Sequence, residues 1–202
     1  MKTVKMKSGK SGSVVNFGVA LVLLAGMFAL YSCEKVTIDV PVDSIVVELK
    51  DIQVVEGPVA KSGMARLSAD DELNEFLETR EVKLSDLSLE NEVTKYQSRI
   101  TDATVGTASI TITSAGGGGT VVKDFLLQVD GVHRISIAQY NLGTAYTDDL
   151  QDFCQKVLLN MFLNGKISVT VSGKTDVTAG EKLNVIITMD NVVFKAKLNS
   201  DE

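Results

Sequence analysis

From about residue 36 onward, apolar side chains recur at every second position more often than at every third or fourth, which is the period of a strand. Val36, Ile38 and Val40 alternate with Thr37 and Asp39, and Pro41 is read as the end of that run. Residues 44–56 continue the pattern with a break. Ile45, Val47 and Leu49 occupy odd positions, whereas Ile52 and Val54 occupy even ones. A slip of one residue would turn the apolar set to the other face, so a bulge or short turn is predicted near Lys50 and Asp51. Further strands are predicted over 100–114, where Ile110 and Ile112 alternate with threonines, and over 120–129, where Phe125, Leu127 and Val129 share a face. Residues 132–139, 166–172, 181–189 and 192–198 follow suit. The last two differ in parity, which predicts a two-residue turn or a bulge at Asp190 and Asn191.

Three stretches read as helix. Ser68 stands as an N-cap with Asp71 at the capping-box position, and Leu73, Phe76 and Leu77 follow at helical spacing. After a brief strand over 81–84, residues 85–98 carry Leu89, Val93 and Tyr96, with Ile100 beyond, at offsets of four, three and four. Residues 147–163 form the longest helical stretch. Thr147 is read as its cap, Asp148 and Asp149 as acids favoured by the helix dipole, and Asn164-Gly165 as its stop. About eight short strands with Gly- or Asn-containing turns predict a mainly β domain, an antiparallel β-sandwich or barrel, with one or two packed helices.

Four consecutive glycines, 116–119, raise the question of a phosphate-cradling loop. Such a loop needs a helix after it. A strand-like run follows instead, so a long hairpin tip is the reading. No internal repeat is evident.

The first 32 residues have a different character. Lys2, Lys5, Lys7 and Lys10 precede an uncharged apolar run over 17–30, and small or polar residues lead to Cys33. This is the order of a secretory signal, and the run is short of the roughly 20 residues of a membrane span. Leu30-Tyr31-Ser32-Cys33 resembles the lipobox of bacterial lipoproteins. Leu30, Ser32 and Cys33 match that pattern, while Tyr31 stands where a smaller residue is commoner. The resemblance implies a diacylglyceryl group on the Cys33 thiol, cleavage just before it and further acylation of the palmitate type. It divides the chain into a signal peptide (1–32), a lipidated tether (33–43) and a single β-rich domain (44–199). The expected location is the cell envelope, on the outer rather than the inner membrane.

Charge and composition then narrow the function. Without the four leader lysines, 16 basic residues face 26 acidic ones, a formal net charge of −10. Nucleic-acid binding rests on neutralising phosphates, so it is excluded as an expectation. Cys33 and Cys154 are the only cysteines, and lipidation of the first leaves no disulfide framework. His133 is the only histidine, which argues against a zinc site of the usual kind and against a Ser-His-Asp site. A Cys154–His133 pair would need an exposed, acidic thiol, yet Cys154 lies on the apolar side of its helix. Asp70-Asp71-Glu72 and Asp148-Asp149 with Asp152 offer calcium-type oxygens, but both groups sit at predicted helix starts. There is no tryptophan to face a sugar. No cofactor and no catalytic residue is expected.

The second half of the 147–163 helix is apolar nearly all round, which marks Val157, Leu158, Leu159, Met161 and Phe162 as a candidate partner or ligand surface. The leading expectation is a membrane-anchored, non-enzymatic binding or assembly module whose partner is an envelope protein. The alternatives are a carrier of an apolar ligand or lipid and, ranked last, an envelope-polymer hydrolase.

Overall fold

A computed structural model describes residues 37–57, 73–87, 89 and 91–198. Eight strands form one antiparallel sheet: β1 (Thr37–Val55), β2 (Asn74–Lys83), β3 (Ile100–Ser114), β4 (Val121–Val129), β5 (His133–Asn141), β6 (Ala145–Tyr146), β7 (Lys166–Thr175) and β8 (Lys182–Lys197). Their order is β5-β4-β7-β2-β1-β8-β3-β6. Helix α1 (Asn91–Tyr96) precedes β3, and helix α2 (Leu150–Asn164) lies between β6 and β7.

The sheet curls into a nearly closed barrel because its two outermost strands are consecutive in the chain. β5 ends at Asn141, the chain turns, and β6 pairs with β3 through Ile110 opposite Tyr146. The Gly143 N–H donates to the Ile112 carbonyl at 2.8 Å. Tyr140, buried at the end of β5, accepts from the Ile112 N–H at 3.3 Å, and its single O–H is shared between the carbonyls of Ile110 (3.3 Å) and Thr144. One phenol thus ties β5 across the seam to β3, where ladder pairing stops.

β1 and β8 are longer than the alternation suggested. β1 is a single strand that includes Pro41 and starts at Thr37, so most of the expected tether is already paired with β8. Pro41 is tolerated because, among the described residues, β8 is the one strand paired with β1 there, and the missing N–H interrupts no second ladder. The first parity break is a bulge within a continuous strand, whereas at the second β8 kinks at Asn191 and keeps its register with both β1 and β3, so neither a turn nor a bulge forms there. Asp51 (φ 60°) and Asn191 (φ 53°) adopt left-handed backbone, a conformation that Asp and Asn accept more readily than other side chains do. The Asp51 N–H donates to the Asn184 Oδ1 at 3.0 Å, and the register shifts between Leu49 and Ile52.

Three helical readings need correction. Phe76 and Leu77 belong to β2, because a full ladder to β7 from Asn74–Thr175 to Lys83–Lys166 outweighs their helical spacing. The part of that predicted helix at 68–72 lies outside the described residues. Residues 85–98 yield only α1, between short 3₁₀ turns at Leu84–Asp86 and Gln97–Arg99. Val93 and Ile100 are buried as the spacing implied, while Leu89 and Tyr96 only lean on the core. Helix α2 begins at Leu150, after a left-handed Asp149 with no side-chain cap, and not at Thr147. Its end is as read, with Gly165 left-handed (φ 75°) and its N–H bonded to the Met161 carbonyl at 2.8 Å.

One apolar cluster fills the barrel, fed by alternate residues of the strands and one side of α2. Phe162 of α2 packs on Phe194 of β8 with ring centroids 4.6 Å apart. Fully burying a phenylalanine of this kind contributes about 1.5–3 kcal/mol.

Candidate functional site

Cys33 lies outside the described residues. The candidate surface on α2 is for the most part not a surface. Leu158 and Met161 are 0 % exposed, Val157 and Phe162 are buried, and Leu159 is half-buried against the core. The helix packs on β3 and also meets β5 and β7. The helix is covered on one side, where it closes the barrel, and its other side carries the exposed Gln151, Asp152, Lys156 and Leu163. Its exposed apolar side chain is Leu163.

Cys154 points into the same interior. Burial pushes its thiol up to about 12, so a thiolate nucleophile is disfavoured near neutral pH. The space beside it measures about 20 Å³ and is lined by apolar side chains including Val47, Val129, Val157, Ile187 and Met189. A ligand pocket is typically about 300–1,000 Å³. His133 sits at the start of β5, opposite Val129. Among the described residues, no group of three or more His, Cys, Asp or Glu side chains could hold a metal ion. Asp148 and Asp149 precede α2, and Asp152 lies in its first turn.

The glycine run forms the β3–β4 connection, and β4 follows it. It is clasped from the β7–β8 side. The Asp176 carboxylate accepts from the Thr120 N–H (2.8 and 3.0 Å), the Thr120 hydroxyl (2.7 Å) and the Val121 N–H (2.9 Å). Burial raises the affinity of this carboxyl for its proton, but the donors from Val121 and Thr120 prevail and lower its pKa. Gly119 (φ 77°) lies against Val177 and Asp176, leaving no room for a Cβ. The groups are used on one another, which makes this a structural clasp.

The feature that pattern reading did not reveal is a wedge between β1 and β2. These neighbours pair only at Val54–Phe76 and Val55–Glu75. Beyond that point β1 follows β8 and β2 follows β7, and the two strands part. The space between them is about 700 Å³ and is bordered by residues 44–50 of β1 and 80–82 of β2, with Asp86, Leu87 and Leu89 at its mouth. Its floor is apolar along β1 and at Val82 and Leu87, with Ile45, Val47 and Leu49 all buried, while Arg80, half-buried on the same face of β2 as Val82, brings in its ion pair with Glu78 (2.9 Å). Val46, Val55 and Leu77, three large apolar residues exposed to solvent, flank it on the outer face. The Leu87 and Leu89 N–H groups bond locally, to the carbonyls of Leu84 (3.2 Å) and Leu87 (2.7 Å), rather than to β1. The only signal in the sequence was the outward Val46 and Leu77. Which strand lies beside which is set by long-range pairing.

No family model and no curated protein matches the chain. Among solved structures, a chain of a semi-empty virus-like particle of the giant freshwater prawn Macrobrachium rosenbergii nodavirus is similar over 82 % of this chain and 97 % of its own, with 8 % identity and a TM-score of 0.31. A likeness of that size carries no argument about fold or function.

Proposed function

We propose that the chain is an exported lipoprotein, anchored through Cys33 in the cell envelope, that serves there as a non-enzymatic binding or assembly module. The observation that carries this reading is the placement of Leu30-Tyr31-Ser32-Cys33 at the end of a cationic and then apolar leader, only four residues before β1 begins. Four residues span at most about 14 Å in any conformation, so a lipid on Cys33 would keep the start of β1 close to the membrane surface. Two or more acyl chains give stable anchoring where one does not, since each buried methylene contributes about 0.8 kcal/mol. The acidic mature chain adds no attraction to anionic lipid, which leaves the anchor as the attachment.

The binding half of the reading draws on the β1–β2 wedge, an open space bordered by strand edges. The buried thiol and the 20 Å³ space beside it weigh against a cysteine hydrolase and an apolar-ligand carrier in that part of the barrel. The test of the anchor is fractionation of a Cys33→Ser form. It should lose acyl labelling and move from the membrane to the soluble fraction. A Cys33→Ser chain that stays in the membrane after losing its leader would sink the proposal.

A further inference from the structure

We infer that the β1–β2 wedge is a strand-addition site, which takes one extended, uncharged peptide segment of alternating apolar and small polar residues. The inference rests on the reading of the chain as a binding module, but not on its lipid.

Hydrogen-bond direction in β8 shows which backbone groups of β1 are left over. The Val54 N–H donates to the Glu181 carbonyl (3.0 Å), on the β1 side of β8, and the Ala115 N–H donates to the Lys182 carbonyl (2.8 Å), on the β3 side. Backbone groups alternate sides along an antiparallel strand. Odd residues of β8 up to Met189 therefore serve β1, and even ones serve β3. Val46 and Glu48 stand opposite Thr188 and Ile186, so their own N–H and C=O groups turn away from β8, into the wedge. On β2, the Leu84 N–H just beyond the strand donates to the Gly165 carbonyl, on the β7 side. By the same alternation Thr79 and Glu81 turn theirs toward β1. Two strand edges thus face one another, and among the described residues neither has a ladder partner between the closed end and the mouth.

Such edges define the chemistry of their occupant. Only an extended polypeptide presents donors and acceptors to both sides at strand spacing. Residues 44–50 span about 20 Å, the length of a strand of some seven residues. Because β1 and β2 run antiparallel, the added strand is antiparallel to one and parallel to the other. Its inward side chains meet Ile45, Val47 and Leu49 on one side and Val82 with the stem of Arg80 on the other, which calls for Val- or Ile-like residues at alternate positions.

Charge complementarity sets the other positions. Most charges along the wedge are already matched on the protein: Lys50 with Glu48 (2.5 Å), Glu81 with Lys166 (2.6 Å) and, on the inward face of β2, Arg80 with Glu78 (2.9 Å), while Asp86 at the mouth accepts from the Lys83 N–H (3.0 Å). A charged strand would have to displace one of these pairs, whereas serine or threonine displaces none. The occupant is therefore neutral, and its binding depends little on salt.

The test uses the full lipidated chain in detergent with acetyl-Ser-Val-Thr-Val-Ser-Val-Thr-amide as the probe. Amide hydrogen exchange should slow at least about tenfold at Val46, Glu48, Thr79 and Glu81, as formation of a ladder hydrogen bond requires. The same peptide N-methylated at alternate residues should bind at least about tenfold more weakly, and affinity should hold between about 0.05 and 0.5 M salt. Val46→Pro removes one wedge-facing N–H at an edge that tolerates proline, so it should weaken binding while leaving the thermal midpoint nearly unchanged. Absence of binding overturns the inference, and so does protection confined to other strands. A concentration-dependent dimer that protects these four amides without peptide assigns the wedge to a second copy and overturns the peptide assignment. A Cys33→Ser chain that leaves the membrane and still binds the probe separates the wedge from the anchor.

Discussion

Replacing Leu158 by alanine removes three carbons from a side chain that is wholly buried in α2. Lost burial costs about 0.8 kcal/mol per carbon. The cavity left behind adds to this, and buried Leu→Ala changes generally cost about 2–5 kcal/mol. The better helix propensity of alanine returns only a few tenths of a kcal/mol. The expected loss is about 3 kcal/mol, or roughly 6–12 °C in Tm for a domain of this size. Leu163 lies five residues further on and is 78 % exposed. Leu163→Ala should stay within about 0.5 kcal/mol. Urea unfolding followed by far-UV circular dichroism measures both variants against wild type. If Leu158→Ala cost less than about 1 kcal/mol, or matched Leu163→Ala, the placement of α2 in the core would be refuted.

The seam, the clasp, the thiol and the glycine run each yield a further expectation. Tyr140→Phe should cost about 1–3 kcal/mol, because the buried Ile112 N–H loses its acceptor; equal stability in urea would show that the phenol does not hold the seam. The lowered pKa of Asp176 means that its contribution is fully present above the unfolded carboxylate value of about 3.9 and is lost as pH falls through its lower folded value. The stability gap between wild type and Asp176→Asn should therefore shrink on acidification below about pH 4, and a gap that widens there would contradict the clasp. Cys154, with its thiol at about 12, should resist iodoacetamide in the native chain at pH 8 and react once urea unfolds it; rapid native alkylation would place it at the surface. Gly119→Ala should cost more than Gly117→Ala, since both are left-handed but only the first lies against Val177; calorimetry of the two variants decides.

The β class of the fold was legible because alternation survives in most strands, and Asn164-Gly165 marked the end of α2 by the residue types a left-handed cap prefers. Parity breaks at Lys50-Asp51 and Asp190-Asn191 were visible too. The first proved a bulge and the second a kink without change of register, an outcome set by the partner strands, which the local pattern does not contain. The helical reading of Leu73, Phe76 and Leu77 failed for the same reason. Its spacing is compatible with a helix, but pairing with β7, about ninety residues away, decides. The apolar second half of α2 was recognised, whereas its burial required knowing that the barrel leaves a side open for it. The wedge was the least legible feature, since it consists of hydrogen bonds that β1 and β2 do not make to each other.

Cys33 is the residue on which the proposed anchoring turns. Mass spectrometry of the mature chain extracted from bacterial envelopes tests it directly. The prediction is a chain that starts at Cys33 and carries a diacylglyceryl thioether there, with palmitate-type acyl mass. A chain that keeps residues 1–32, or that begins near Cys33 with an unmodified thiol, would contradict it.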